Sequence, residues 1–135
     1  MVLEAGEETK IDSAVCCGEV SVCGEQFTNG KLVLKATLYD PIVLEKPSVT
    51  KLLNSIYSIA MARTKSENSA TSGFFINLDN NKSFDDDSNA YAAFGRLIYG
   101  FSTAQAISKF PGVISSDGTV TPSTPPVIQW VIQLK

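Results

Sequence analysis

The chain has 135 residues, a net charge of −3 and an ordinary globular composition, 44% hydrophobic and 19% charged. This length predicts a single domain spanning residues 1–135. Mild acidity and scattered basic residues argue against nucleic-acid binding, which needs clustered Lys and Arg. We expect no membrane span and no signal peptide, because no apolar run is long enough and the N-terminus lacks a basic region followed by an apolar stretch. A cytoplasmic or organelle-matrix location, in a reducing compartment, is the expectation.

The inventory of reactive side chains is narrow. The sequence has no histidine, so the commonest general base and metal ligand is missing and hydrolysis by a Ser-His or Cys-His pair is not expected. Cys16, Cys17 and Cys23 lie close together, which leaves a redox pair or a partial metal site open. Their odd number and the lack of Cys-x-x-Cys spacing favour small apolar side chains on a strand instead. We predict no metal and no cofactor.

The first third of the chain reads as strands. Alternation of apolar and polar residues predicts a strand over residues 15–22, and a second over residues 31–38. Between them, Asn29-Gly30 is a dipeptide typical of tight turns. Residues 41–44 form a short apolar run, and residues 51–57 are ambiguous between a helical turn and an extended segment.

The remainder predicts more strands and one clear α-helix. Ser102 or Thr103 can cap the helix and Pro111-Gly112 can end it. Candidates for burial on the helix are Ala104, Ile107 and Phe110. Apolar segments predict strands at residues 56–61, 73–78, 91–99 and 127–134. Many short strands with turns and one helix predict a mainly β, closed or nearly closed antiparallel barrel.

An acidic run at residues 85–87 raises the question of a calcium loop. Asp79, Asn81 and Ser83 fit three positions of such a loop. Phe84, however, stands where the loop requires glycine. We predict a solvated surface loop at this point.

Three segments carry a family resemblance. They are residues 58–64 (Ser-Ile-Ala-Met-Ala-Arg-Thr), 69–78 (Ser-Ala-Thr-Ser-Gly-Phe-Phe-Ile-Asn-Leu) and 91–97 (Tyr-Ala-Ala-Phe-Gly-Arg-Leu). Together they resemble the core of a bacterial-type cyclophilin, a peptidyl-prolyl isomerase, and the similarity extends from about Phe27 to Lys135. It implies a cyclophilin-like antiparallel β-barrel. The divergent residues 1–26 imply a truncated, degenerate member of that family, with an N-terminally shortened barrel.

The resemblance also implies a proline-binding site. In cyclophilins a shallow apolar pocket holds the proline ring, and an arginine donates hydrogen bonds while the amide rotates over a barrier of about 20 kcal/mol. By match of position, the pocket and its groove correspond to Met61, Ala62, Arg63, Phe75, Phe84 and Tyr91. For some of these residues, the alternative is a place in the ordinary hydrophobic core.

The polar half of that site departs from the family. Val15 stands at the position of the catalytic arginine, so we expect no catalytic residue. Gly73 and Cys23 stand where the family has substrate-binding glutamines. Arg63 belongs to the common bacterial sequence and does not replace the missing arginine by position. An arginine side chain placed beside the pocket would argue against this interpretation.

Two functions remain open. The first is a cyclophilin-like protein without isomerase activity, acting as a structural or scaffolding subunit or as a weak binder of proline-containing peptides in a larger assembly. The second is a divergent but active prolyl isomerase or folding chaperone. A shortened barrel exposes strand edges and apolar surface, so we expect protein partners, or further copies of the chain, to cover the edge.

Overall fold

The computed structural model describes residues 40–114, 116 and 118–123 with their side chains, and further strands by their backbone alone. Those backbone strands are β1 (Val2–Glu4), β2 (Ser13–Cys16), β3 (Glu19–Val22), β4 (Glu25–Thr28), β5 (Lys31–Leu34) and β11 (Trp130–Ile132). The other strands are β6 (Ser58–Met61), β7 (Phe74–Asn77), β8 (Ala93–Arg96), β9 (Gly112–Ile114) and β10 (Val120–Pro122).

Seven of these strands form one sheet in the order β8-β6-β7-β3-β2-β10-β9. Two further pairs, β1 with β11 and β4 with β5, form two-stranded sheets of their own. Every pairing between these strands is antiparallel. The mainly β, antiparallel architecture expected from the sequence is thus confirmed. Among the described strands, β8 and β9 are the outer members of the large sheet and no ladder joins them.

The strand predicted over residues 15–22 was wrong, because this segment belongs to two strands. β2 and β3 pair with each other, with Val15 opposite Val20. The alternating pattern continues through both strands, so periodicity alone did not show where the chain reverses. By contrast, β4 and β5 pair with Thr28 opposite Lys31, and the turn predicted at Asn29-Gly30 lies outside the described residues.

The helix α2 spans Phe101–Ile107 and begins earlier than predicted. Its N-cap is Gly100, with φ 80°, in place of Ser102 or Thr103. Ala104 is fully buried, Ile107 is half-buried and Phe110 is exposed. A second, shorter helix, α1 (Pro47–Thr50), was not predicted. Proline at its first position favours the start, and Lys51 in the left-handed conformation, with φ 63°, ends it before the ambiguous segment 51–57.

The central strands serve two apolar clusters. Successive residues of a strand point to opposite faces of the sheet, so β6 and β7 each contribute to both. One cluster contains Ile59, Ile76, Leu97 and Ala104, and the other contains Ala60, Phe75 and Ala93. None of the helices in the described part of the chain is long and apolar enough to cross a membrane.

Candidate functional site

The aromatic residues of the predicted pocket meet around Phe75. The ring centroids of Phe75 and Phe84 are 5.8 Å apart at 77°, and those of Phe75 and Tyr91 are 5.4 Å apart at 81°. Phe84 and Tyr91 contact each other with centroids 4.6 Å apart. Edge-to-face geometry of this kind is favoured by the ring quadrupoles. Phe75 is only 1% exposed, whereas the other two rings are half-buried, so Phe75 forms the base of this aromatic cluster.

The strand register brings Ala62 to the cluster but not Met61. Ala62 packs against the cluster of Ala60, Phe75 and Ala93. Met61 lies opposite Phe74 in the ladder between β6 and β7, whereas Ala60 lies opposite Phe75. Adjacent residues of a strand occupy opposite faces, so Met61 is placed on the other face of the sheet from the aromatic cluster. The sequence motif around Ala62 does not show which of two adjacent residues lies on the face of the aromatic cluster.

Arg63 lies against the aromatic cluster. Its guanidinium carbon is 4.5 Å from the centroid of the Tyr91 ring, a cation–π contact. Its Nε donates to Ala90 O at 2.9 Å and its Nη1 donates to Thr64 O at 2.9 Å. A guanidinium therefore lies beside the predicted pocket. This placement argues against the expectation that the site has no catalytic arginine. Two of its nitrogens are bound to backbone carbonyls, which makes Arg63 a brace between the end of β6 and the segment before Tyr91.

Buried amide side chains hold the segment that carries the outer two rings. Asn54 Nδ2 lies 3.1 Å from Phe84 O and 3.0 Å from Tyr91 O. Tyr91 N–H in turn donates to Phe84 O at 3.0 Å. Asn54 and Asn77 are 1% and 0% exposed, and Asn77 Nδ2 lies 3.3 Å from Asn54 Oδ1. Buried polar side chains thus hold the backbone of Phe84 and Tyr91 by hydrogen bonds.

Further polar residues join this network through Asn77 and Asn54. Asn77 Nδ2 also donates to Ser58 Oγ at 2.8 Å, and Asn81 Nδ2 donates to Asn77 Oδ1 at 2.6 Å. Asp85 Oδ1 accepts the Asn54 N–H at 2.8 Å. The sequence analysis assigned no role to Asn54 or Asn77. The available signal was an asparagine in the otherwise apolar run Phe74-Phe-Ile-Asn77, since a buried amide needs partners.

Val15, the position matched to the family's arginine, lies on β2 but not in the row of the aromatic cluster. Val15 lies opposite Val20, which lies opposite Ile76, so these positions form one row across the sheet. The row that contains Phe75 reaches β2 at Ala14 instead. Strand β2 reads Ser-Ala-Val-Cys, and neither row therefore contains an arginine from β2.

Gly73 and the acidic loop complete the site's surroundings. Gly73 O accepts the Ala62 N–H at 2.9 Å, and glycine offers no side-chain donor at the position where the family has glutamine. In the acidic run, hydrogen bonds from the Ser88 N–H and Oγ lower the pKa of Asp86 below its usual value. Within the described side chains no group of three His, Cys, Asp or Glu is arranged to hold a metal. The three cysteine side chains lie outside that part of the chain.

The chain is similar to known proteins in sequence and in fold. The model of the cyclophilin type peptidyl-prolyl cis-trans isomerase/CLD family matches residues 11–132. Peptidyl-prolyl cis-trans isomerase A of Dickeya dadantii is 39% identical over 74 residues, covering 53% of this chain and 39% of that relative. The crystal structure of a cyclophilin type peptidyl-prolyl cis-trans isomerase from Cryptosporidium parvum, obtained in the presence of the dipeptide Ala-Pro, has a TM-score of 0.63 at 20% identity, covering 90% of this chain and 71% of that one. The structural likeness shows the fold, and the family model spans most of the sequence: this chain belongs to the cyclophilin-type peptidyl-prolyl isomerase family.

Proposed function

We propose that this chain is a cyclophilin-family protein that has lost efficient isomerase activity and acts as a weak proline-peptide-binding module or scaffolding subunit of a larger assembly. The observation that carries this proposal is the composition of β2, Ser-Ala-Val-Cys, at the place where the family's arginine is expected. Neither Ala14, which lies in the row of Phe75, nor Val15, which is matched to the family's arginine by sequence, can donate a side-chain hydrogen bond to a substrate amide.

The expected loss of activity follows from the reaction. Rotation about a prolyl bond requires the amide to leave conjugation, against a barrier of about 20 kcal/mol. Fixed donors lower that barrier by stabilising the twisted amide, and removal of one such donor costs about a hundredfold or more in rate. Here the arginine position and the glutamine position at Gly73 both lack donors. We therefore expect kcat/KM to lie at least about a hundredfold below that of an active cyclophilin assayed in parallel.

The aromatic cluster supports retention of peptide binding. Phe84 and Tyr91 are half-buried, so each presents part of a ring surface on which a proline ring can pack. The Cryptosporidium parvum relative was crystallised in the presence of Ala-Pro, which supports the same ligand class for this chain. Without the polar donors, only apolar contact and the fixed backbone around Tyr91 contribute, so affinity near 1 mM, or about −4 kcal/mol, is expected.

Arg63 favours a second candidate function, a divergent but active isomerase or folding chaperone. Its guanidinium lies 4.5 Å from the Tyr91 ring centroid, within the group of residues that would surround a bound proline. In this candidate, Arg63 exchanges a backbone carbonyl partner for the substrate amide. The exchange has a cost, because Ala90 O would lose the donor that it now accepts at 2.9 Å.

A protease-coupled isomerisation assay on a proline-containing peptide distinguishes the two candidates. Our proposal predicts slow turnover that is equally slow in Arg63→Ala and in the control Lys82→Ala, which removes an exposed positive charge on the neighbouring segment. Turnover at the level of ordinary cyclophilins would refute the proposal. If Arg63→Ala alone abolished such turnover, Arg63 would be the catalytic donor. Titration with Ala-Pro, followed by NMR at Phe84 and Tyr91, tests the binding part separately.

A further inference from the structure

A second concave surface lies at the outer edge of the large sheet. It is a cavity of about 410 Å³ between the segment that follows α1 and strand β8. Apolar side chains form much of its wall: Leu52, Leu53 and Phe94 are 51%, 57% and 52% exposed. The family's proline site, by contrast, is built around Phe75 and Tyr91. We call the cavity and the adjoining strand edge the β8 cleft, lined by Lys51, Leu52, Leu53, Ser55, Ser58, Ala93, Phe94, Gly95 and Arg96.

Among the described strands, β8 has a ladder on one side only, and that ladder has a register shift between Gly95 and Ala93. β8 pairs with β6 on one side and is the terminal strand of the seven-stranded sheet. Leu97 N–H donates to Tyr57 O at 2.7 Å, so it faces inward toward the end of β6. Alternate residues of an antiparallel strand turn their amide groups to opposite sides, which directs the N–H and C=O of Arg96 to the outer edge. Among the described strands none pairs with that edge, and an open edge is a template for strand addition.

The charges of the β8 cleft have one sign. Its ionisable lining residues are Lys51 and Arg96, and no carboxylate lines it, although the whole chain has a net charge of −3. Lys51 is held in place, since its Nζ donates to Ser48 O at 2.5 Å. A segment that enters this cleft therefore meets apolar side chains and two positively charged ones.

We propose that the β8 cleft docks an extended segment of a partner protein, in which apolar residues alternate with acidic ones, as an additional strand on β8. Side chains of an extended strand alternate between two directions. Apolar residues can then pack on Leu52, Leu53 and Phe94, while carboxylates lie near Lys51 and Arg96. The proposal rests on the role of this chain as a subunit of an assembly, and it names the surface and the chemistry of its partner.

The test uses the full chain and two synthetic peptides of about eight residues, a usual strand length. One alternates valine with glutamate, and the other alternates valine with lysine. Fluorescence anisotropy of the labelled acidic peptide should give a Kd of about 100 µM, typical of a small, transient contact. The lysine peptide should bind at least about tenfold more weakly, because it meets the same two cations with like charge. N-methylation of the acidic peptide along one edge should abolish binding, which isolates the contribution of the backbone.

Protein variants test the residues of the cleft. Lys51→Glu/Arg96→Glu should weaken the acidic peptide about tenfold. The control Lys65→Glu/Lys109→Glu changes the net charge equally at exposed sites outside the cleft and should change the Kd less than about twofold. Circular dichroism verifies that both variants fold. The comparison of the two peptides needs no variant, so it stands even if the double variant fails to fold.

Several results would overturn the proposal. Equal binding of the acidic and lysine peptides would remove charge complementarity, and no binding of the acidic peptide would remove the site. A concentration-dependent dimer of the chain that Phe94→Ser dissolves would assign the β8 cleft to a second copy instead of a partner. Failure here is distinguishable from failure of the proposed function, because ordinary isomerase turnover would refute the latter without changing peptide affinity at β8.

Discussion

Replacing Asn54 with alanine tests whether the buried amide network supports the aromatic cluster. The side chain is 1% exposed, and its Nδ2 lies 3.1 Å from Phe84 O, 3.0 Å from Asp85 Oδ1 and 3.0 Å from Tyr91 O. After the substitution, Phe84 O still accepts the Tyr91 N–H, and Asp85 Oδ1 still accepts the backbone N–H of residue 54. Tyr91 O, however, loses the donor that Asn54 supplies.

The size of the destabilisation follows from the one acceptor, Tyr91 O, that is left without its donor. An acceptor left buried without a donor costs about 1–3 kcal/mol, and the space left by the amide adds to that cost. We expect the free energy of unfolding to fall by about 2–3 kcal/mol, with a decrease in Tm of about 10 °C for a domain of this size. Because Asn54 also fixes the backbone of both outer rings, the NMR signals of the Phe84 and Tyr91 rings should shift.

Urea denaturation and thermal unfolding measure the change, with Asn89→Ala as the matched control. Asn89 is exposed, and its Nδ2 lies 3.4 Å from Ser83 O, so its removal should cost less than about 0.5 kcal/mol. The reasoning fails if Asn54→Ala unfolds at the same urea concentration as the control. Unchanged ring signals in a destabilised variant would show that the network stabilises the domain without positioning the cluster.

Three further predictions concern other parts of the chain. Leu97→Ala empties a fully buried position in the cluster with Ile59 and should cost about 3 kcal/mol in urea denaturation; an unchanged midpoint would contradict this packing. Gly112→Ala would force a Cβ into the carbonyl of Thr121, so amide hydrogen exchange should accelerate along β9 and β10, and unchanged protection would show that the strands have room. Asp86 should titrate below 3.8 because Ser88 donates to its charged form; its contribution to stability is present above the unfolded pKa and is lost as pH falls through the lowered value. Ser88→Ala removes the Oγ donor but keeps the backbone N–H, so it should raise that pKa only part of the way in an NMR titration, and an unchanged pKa would exclude the hydroxyl as a cause.

Apolar runs in the sequence located the central strands, because side chains that leave water must come from such runs. The predicted segments 56–61, 73–78 and 91–99 each contain an observed strand, β6, β7 and β8. Their ends were less certain, and α1 was missed because a helix of four residues has no period to detect. The reversal between β2 and β3 was missed for a related reason: an alternating pattern is the same in one strand as in a hairpin.

The sequence could not predict which face of the sheet a strand residue occupies or which distant segments come into contact. Met61 and Ala62 are neighbours in one motif, yet only the register Ala60–Phe75 and Met61–Phe74 shows that Ala62, on the same side as Ala60, reaches the cluster. A shift of one residue moves every side chain to the other face. The contact between Arg63 and Tyr91 and the bonds of Asn54 join segments far apart in the chain. No local pattern encodes such a meeting.

The amino-acid sequence by itself determined which chemical groups exist: it has no histidine, glycine at position 73, and no arginine near Val15. It also carried the motifs by which the family is identified. Tertiary structure alone decided that Arg63 lies over Tyr91 while Arg96 lines the cavity beside β8, the outer strand of the large sheet among the described strands. The physical reason is that residue type sets what a side chain can donate, whereas the pairing of distant strands sets what it can reach.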